Sequence, residues 1–369
     1  MKMEKGSEEI EASVTSRALT LPMITVGILF LMGLWGCLAI YNATAFSNTP
    51  FHYAGRQLIW VILGIFVLWG SSHISFEKYE KYLWGIALLV YTSLILVLFT
   101  GMSINGMRGW FNLGFCLIQP SELAKPVYIL TLCSFLKKGL SPFKLFISLL
   151  LTTIIWCIPL ALQPDFGTML VYLCGFLAVY ILAEGRILYL IPVSMASIPF
   201  AFFIYKTKPY IVSRFTGFLN PSADPSGTGW HILQFQYTLA RGGFSGQSWG
   251  NAMWSNAYLP LSYSDSSFAS LVEAIGFAGT LPVILGFTAL AFAGYRLSIN
   301  VKEPERKIFI FAMPVLITSQ ALIHMSVNVG LLPPTGITLP MFSYGGSSLM
   351  SIMLSFGIIL SASKRQQRL

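Results

Sequence analysis

The chain has 369 residues, a formal net charge of +9, 55% hydrophobic residues and only 10% charged ones, with a mean hydropathy of +0.70. A soluble domain carries about 25% charged residues, so a water-facing surface could not be covered here. Soluble enzyme, disordered tail and secreted disulfide scaffold are excluded, and the composition predicts a polytopic membrane protein.

In chain order, residues 1–19 are polar and mixed in charge and are expected to form a cytoplasmic tail. They are not read as a signal peptide, because the following apolar run is too long and lacks a small-residue cleavage site. A bilayer-spanning helix takes about 20 apolar residues. Such stretches fall at 20–43, 56–73, 82–101, 121–136, 145–163, 167–183, 187–205, 268–295, 307–331 and 340–361. The expected architecture is therefore an all-α polytopic membrane domain over 20–363 with about ten transmembrane helices. A large extracytoplasmic loop, about 206–267, joins helices seven and eight, and a second cytoplasmic tail covers 364–369. Most Lys and Arg then fall in inner loops, as the positive-inside rule requires, with both termini in the cytoplasm. The basic residues do not interleave with aromatics on a polar surface, so nucleic acid is not an expected partner. Cys37, Cys116, Cys133, Cys157 and Cys174 form no CxxC pair and read as packing residues.

The same orientation turns Asp165, Asp224, Asp265, Glu122 and Glu273 outward. Span four opens with Gln119-Pro120-Ser121-Glu122-Leu123-Ala124-Lys125, with Pro120 and a Ser121 cap as start signals. Glu122 and Lys125 share a helix face and either tie two helices together or line an outer polar cavity. Asp165 opens span six as a helix cap, a cavity carboxylate, or both. Arg56 heads span two and Arg108 lies in the loop 105–110. Spans two, four, six, eight and ten point their positive dipole ends outward. Helix N-termini beside such cations favour phosphate, so a lipid pyrophosphate headgroup suits the setting.

In the long loop, the aromatic residues argue against disorder, and 230–241 is predicted to be a helix lying on the membrane surface. The glycine-rich segment 242–251 serves either phosphate binding or close backbone packing. Asp265 either caps span eight or, in a partly desolvated cavity, acts as a base. The small residues from Ser343 to Ser348 permit close helix contact. His52, His73, His231 and His324 show no metal-binding spacing, so a histidine-built metal site is not expected; no cofactor is evident, and a divalent-cation requirement stays open.

The sequence resembles the SEDS family of cell-wall proteins, which includes FtsW, RodA and SpoVE. The matching segments are NGMRGWFNLG (105–114), IQPSELAK (118–125), QPDFGT (163–168), RFTGFLNPSADPSGTGW (214–230), the glycines of 242–251, YLP (258–260), Asp265, and LLPPTGITLPMFSYGGSSL (331–349). The resemblance implies a glycosyltransferase that polymerises lipid II, an undecaprenyl-pyrophosphate-linked disaccharide-peptide, into β-1,4-linked glycan strands. The reaction is inverting and takes place on the outer face of the bacterial cytoplasmic membrane, beside a class B penicillin-binding protein. It places the essential aspartate at Asp265 and polar cavity residues at Arg56, Glu122, Lys125 and Asp165. Arg108, Arg214 and Ser343, which lie in matched segments, join them as candidates for holding substrate.

Tyr258-Leu259-Pro260, Gly250-Asn251 and Ile337-Thr338-Leu339-Pro340 lean toward FtsW, whereas Thr335-Gly336 looks more like RodA, leaving division and elongation both open. The sequence departs from the family pattern at Ser266-Ser267 after Asp265, at Glu273-Ala274-Ile275-Gly276, and at His324, where Asn is common. Two other functions compete. One is a lipid II flippase, which should carry ionisable groups at the membrane midplane. The other is a non-catalytic scaffold for the penicillin-binding protein.

Overall fold

The computed structural model describes residues 2–104, 106–207 and 209–364. Asn105, in the first matched segment, and the C-terminal tail beyond Lys364 lie outside the described residues. The first helix, α1 (Lys2–Ala43), begins within the segment expected to be a tail. It is followed by α2 (Pro50–His73) and α3 (Phe76–Thr100). Helices α4 (Pro120–Ser134), α5 (Pro142–Leu162), α6 (Phe166–Leu182) and α7 (Leu190–Thr207) come next. The long connection folds into α8 (Pro209–Leu219), α9 (Trp230–Gly242) and α10 (Met253–Ala257), and the chain ends with α11 (Ser267–Ser298), α12 (Pro304–Asn328) and α13 (Gly346–Ser363). Proline opens α2, α4, α5 and α12, where its missing N–H costs no hydrogen bond.

Helices stand where the ten spans are expected. Among the described residues, seven helices are long and apolar enough to cross a membrane: the Thr20–Ala43 part of α1, α2, α3, α5, α11, α12 and α13. By that measure α4, α6 and α7 fall short. Helices α2 and α3 expose large apolar side chains such as Phe66, Trp69, Leu88, Leu89 and Phe99, as a surface against lipid requires.

The protein is not purely helical. Between α3 and α4 the chain forms a small antiparallel sheet, β1 (Met102–Ile104), β2 (Met107–Asn112) and β3 (Leu117–Ile118), in the order β1-β2-β3. The hydropathy pattern marked this stretch only as a loop.

The middle of the bundle is α4, from which Pro120 to Cys133 are nearly all buried. It is packed by α3, α5, α6, α12 and α13. Tyr128 of α4 stacks on Tyr172 of α6 at 4.5 Å, and its hydroxyl lies 2.9 Å from that of Thr153 in α5. Helices α2 and α13 approach closely, and a Cβ on Gly357 would collide with the Ser71 hydroxyl and the Leu68 carbonyl. At the end away from the sheet, Arg306 pairs with Glu77. There too Lys137 lies 2.6 Å from Glu80 and 3.5 Å from Glu305, and Lys364 donates to the Ser72 carbonyl at 2.7 Å.

Helix α11 is broken at Gly276, whose φ of 69° is left-handed. The break frees backbone groups, and the glycine-rich segment meets them. Phe277 and Ala278 donate to the carbonyls of Gly243 and Phe244, while Gln247 and Ser248 donate to those of Glu273 and Ala274. Side chains on Gly242 or Gly246 would strike this backbone. The glycines therefore permit close packing, which fixes the second of the two readings of this segment. Helix α9 forms where its apolar spacing predicted. It buries Ile232 and Phe235, packs on α11 and leaves Trp230 and Tyr237 exposed.

Candidate active site

At the sheet end, the N-terminal ends of α2, α4, α6, α11 and α13 surround a cavity of about 570 Å³. Its walls include Tyr53 and Arg56 from α2, Gln119 before α4, Pro164 before α6, and Tyr263, Ser264 and Asp265 before α11. Arg214 of α8, the loop residues Thr335, Gly336 and Thr338, and Tyr344 to Ser348 at the start of α13 also line it, together with Trp60 and side chains of the sheet region such as Met107, Trp110 and Phe115. Five positive dipole ends thus border one cavity of mixed polar and apolar lining, a setting in which they favour negative charge.

Asp265 is half-buried on this wall. It does not cap α11, whose N-cap is Ser266, so the capping role is not the one the fold gives it. Its Oδ1 accepts from the Ser264 hydroxyl at 3.0 Å. Burial pushes the Asp265 carboxyl up to about 6, against the pull of the Ser264 hydrogen bond and the Arg214 charge. Gly336, with φ of 72°, passes beside it; a Cβ there would sit 3.7 Å from the Asp265 Oδ2.

A buried polar network fixes this loop from behind. Asn328 Nδ2 donates to the Asp265 carbonyl at 3.1 Å, and its Oδ1 accepts from Ala269 N–H at 3.0 Å. His324 Nδ1 lies 2.8 Å from the Ile337 carbonyl. A carbonyl only accepts, so Nδ1 carries the proton. In that tautomer Nε2 is an acceptor facing the Ser267 hydroxyl at 3.3 Å. Ser343 donates to the Ser264 carbonyl at 2.7 Å and accepts from Leu339 N–H at 2.8 Å. The Asp265 loop and the 331–345 loop are therefore tied to α12 and to each other. Glu273, fully buried, similarly anchors residues 241–255 by accepting from Trp254 N–H at 3.1 Å, Ser255 N–H at 2.7 Å and Arg241 Nε at 3.1 Å.

Of the residues selected from sequence, Asp265, Arg56 and Arg214 share the cavity wall. Arg214 also donates to the Pro334 carbonyl at 2.7 Å. The others stand behind or beside the wall. Lys125 and Glu122 do form their pair, at 2.6 Å, and Lys125 also reaches Gln320 of α12 at 2.7 Å. Both are buried because α4 has neighbours on every side. Ser121 does not cap α4; its N-cap is Gln119. Asp165 caps α6 by accepting from Thr168 N–H at 3.0 Å, and Gln119, which lines the cavity, lies 3.5 Å from it. Arg108 sits exposed on β2 and donates to the Leu98 carbonyl at 3.3 Å. Ser343 belongs to the buried network.

Sequence reasoning missed Tyr53, Tyr263 and Tyr344 on the wall and the His324–Asn328 support. Tyr344 stood inside a matched segment, Tyr263 lies two residues before Asp265, and Tyr53 lies one helical turn before Arg56. Among the described residues, no cluster of three or more His, Cys, Asp or Glu side chains is arranged to hold a metal ion.

Fold and site define a polytopic membrane protein with a cavity, lined by charged, polar and aromatic side chains, among helix N-termini at one end of its bundle. The chain belongs to the FtsW/RodA/SpoVE family, described as Cell cycle protein, which matches residues 18–368. It is 29% identical to stage V sporulation protein E of Bacillus subtilis over 94% of this chain and 95% of that protein. It is 34% identical to a probable peptidoglycan glycosyltransferase FtsW of Coxiella burnetii, over 84% and 86%. Among solved structures, a chain from a peptidoglycan synthase complex that coordinates polymerization and crosslinking superposes with a TM-score of 0.76 and 25% identity, covering 90% of this chain and 96% of that one. The rod shape determining protein RodA of Thermus thermophilus shares the fold, with a TM-score of 0.67 at 23% identity over 91% and 95%.

Proposed function

We propose that this chain is a peptidoglycan glycosyltransferase that polymerises lipid II into β-1,4-linked glycan strands at the outer face of the cytoplasmic membrane. One observation carries the reading: a half-buried carboxylate with a raised pKa, Asp265, shares a cavity with Arg56 and Arg214. In the reaction, the 4-hydroxyl of the acceptor sugar attacks the anomeric carbon of the donor from the face opposite the leaving group. The carbon–oxygen bond to the lipid diphosphate breaks, and the configuration inverts. Asp265 takes the hydroxyl proton, and a carboxyl near 6 is a stronger base than an ordinary aspartate while still ionised at neutral pH. Arg56, Arg214 and the helix dipoles stabilise the diphosphate charge as it forms.

Lys125, already neutralised by Glu122, serves the bundle rather than the leaving group. Placing the cavity outside agrees with the opposite end, where Lys78, Lys81, Lys137, Lys138, Lys307 and Lys364 gather in the manner of a cytoplasmic surface. A class B penicillin-binding protein is the partner this reading requires, to crosslink the strands. The test is synthesis from lipid II in detergent by the purified chain with its transpeptidase. Glycan polymer is expected without any vesicle. A flippase or a scaffold makes none, and its absence overturns the reading.

A further inference from the structure

Three tyrosines from separate parts of the chain meet on the cavity wall. Tyr53 lies on α2, Tyr263 two residues before Asp265, and Tyr344 just before α13. The rings of Tyr53 and Tyr263 stack with centroids 4.7 Å apart and planes 19° from parallel. Tyr344 stands edge-on to Tyr53 at 5.2 Å and to Tyr263 at 6.1 Å. The Tyr344 N–H also donates to the Tyr263 carbonyl at 2.7 Å, which locks the two loops that carry these rings. All three are partly accessible while lining the cavity.

This chemistry differs from that of the two arginines. A diphosphate calls for cations and N–H donors, and an isoprenoid tail calls for aliphatic walls without hydroxyls. A rigid cluster of flat apolar faces with hydroxyl tips presents both halves of what a pyranose ring needs: a surface for its C–H face and hydrogen-bonding partners for its rim. The cluster shares the cavity with the carboxylate and a cation; Tyr263 is two residues from Asp265, and Tyr53 is one turn from Arg56.

We propose that Tyr53, Tyr263 and Tyr344 form the pyranose subsite that holds the acceptor sugar with its hydroxyl at Asp265. The proposal rests on the glycosyltransferase reading. The subsite binds and orients; it takes no part in proton transfer.

Initial rates of polymerisation against lipid II concentration, with the full chain and its transpeptidase, test it. Tyr53→Leu and Tyr263→Leu should each raise KM about three- to tenfold, the worth of one aromatic contact. Their kcat should stay close to wild type, and Tyr53→Phe and Tyr263→Phe, which keep the ring and lose the hydroxyl, should raise KM less than Leu does. A merely structural role would give the opposite split: lower kcat and thermal stability at unchanged KM, with Phe no better than Leu. That result overturns the subsite and leaves the glycosyltransferase reading standing. Should Tyr263→Leu fail to fold, Tyr53→Leu, which lies on α2 outside the Asp265 loop, decides alone. If the wild-type chain makes no polymer at all, the underlying reading falls and the subsite falls with it.

Discussion

A carboxyl raised to about 6 has consequences that can be measured on one residue. Folding raises the pKa of Asp265 above its value in the unfolded chain, so the native state binds the extra proton between about pH 4 and 6. Its contribution to stability is therefore full below pH 4, is lost as pH rises toward 6, and stays lost above. A shift of that size corresponds to about 3 kcal/mol. Asp265→Asn should therefore unfold at a higher temperature than wild type at pH 7.5, with the gap closing toward pH 4. The same variant should lose roughly 10²- to 10⁴-fold in polymerisation rate, the usual worth of a general base. Thermal unfolding in detergent and a gel assay of glycan product check the two halves. Asp265 was legible from sequence because it ends the long loop and carries the family match. His324 was legible only as a departure. Its meaning, a proton fixed on Nδ1 by the Ile337 carbonyl, depends on a contact between α12 and a loop that no spacing rule predicts.

Among the elements, α4 shows most clearly what one sequence withholds. The i, i+3 spacing of Glu122 and Lys125 predicted their pairing, and the pair exists. Whether it faced a cavity or another helix depended on how many neighbours α4 has, and it is surrounded. Removing one partner strands a buried charge. Lys125→Met should cost about 3–5 kcal/mol, and adding Glu122→Gln should recover much of it. Thermal unfolding of the single and double variants measures the recovery; an additive loss would show that the charges do not depend on each other. The packing of α2 on α13 gives a second test. Gly357→Leu must force the helices apart at Ser71 and Leu68 and should cost at least about 1–3 kcal/mol by overpacking. The glycine break in α11 and the loop that satisfies it were not readable, because left-handed backbone and cross-loop hydrogen bonds leave no periodic trace. For the same reason the sheet of residues 102–118 was read only as a loop.

At the scale of the whole molecule, hydropathy located the helices, seven of which among the described residues are long and apolar enough to cross a bilayer, since it follows from the bilayer as solvent, while charge asymmetry gave the expected orientation. They also predicted that helix N-termini and carboxylates collect at one end, which is where the cavity is. In intact cells, a membrane-impermeant maleimide should label Cys116, which lines the cavity. It should not label Lys138→Cys in a Cys116→Ala background; the reverse pattern would place the cavity on the cytoplasmic side. The central claim, that Asp265 acts as the base for glycosyl transfer, is tested most directly by the pH dependence of kcat/KM for lipid II polymerisation. The account predicts a rate that climbs about tenfold per pH unit up to an inflection near 6, then levels, with both the rate and the inflection lost in Asp265→Asn. A profile without that inflection, or an Asp265→Asn enzyme that polymerises at the wild-type rate, would contradict it.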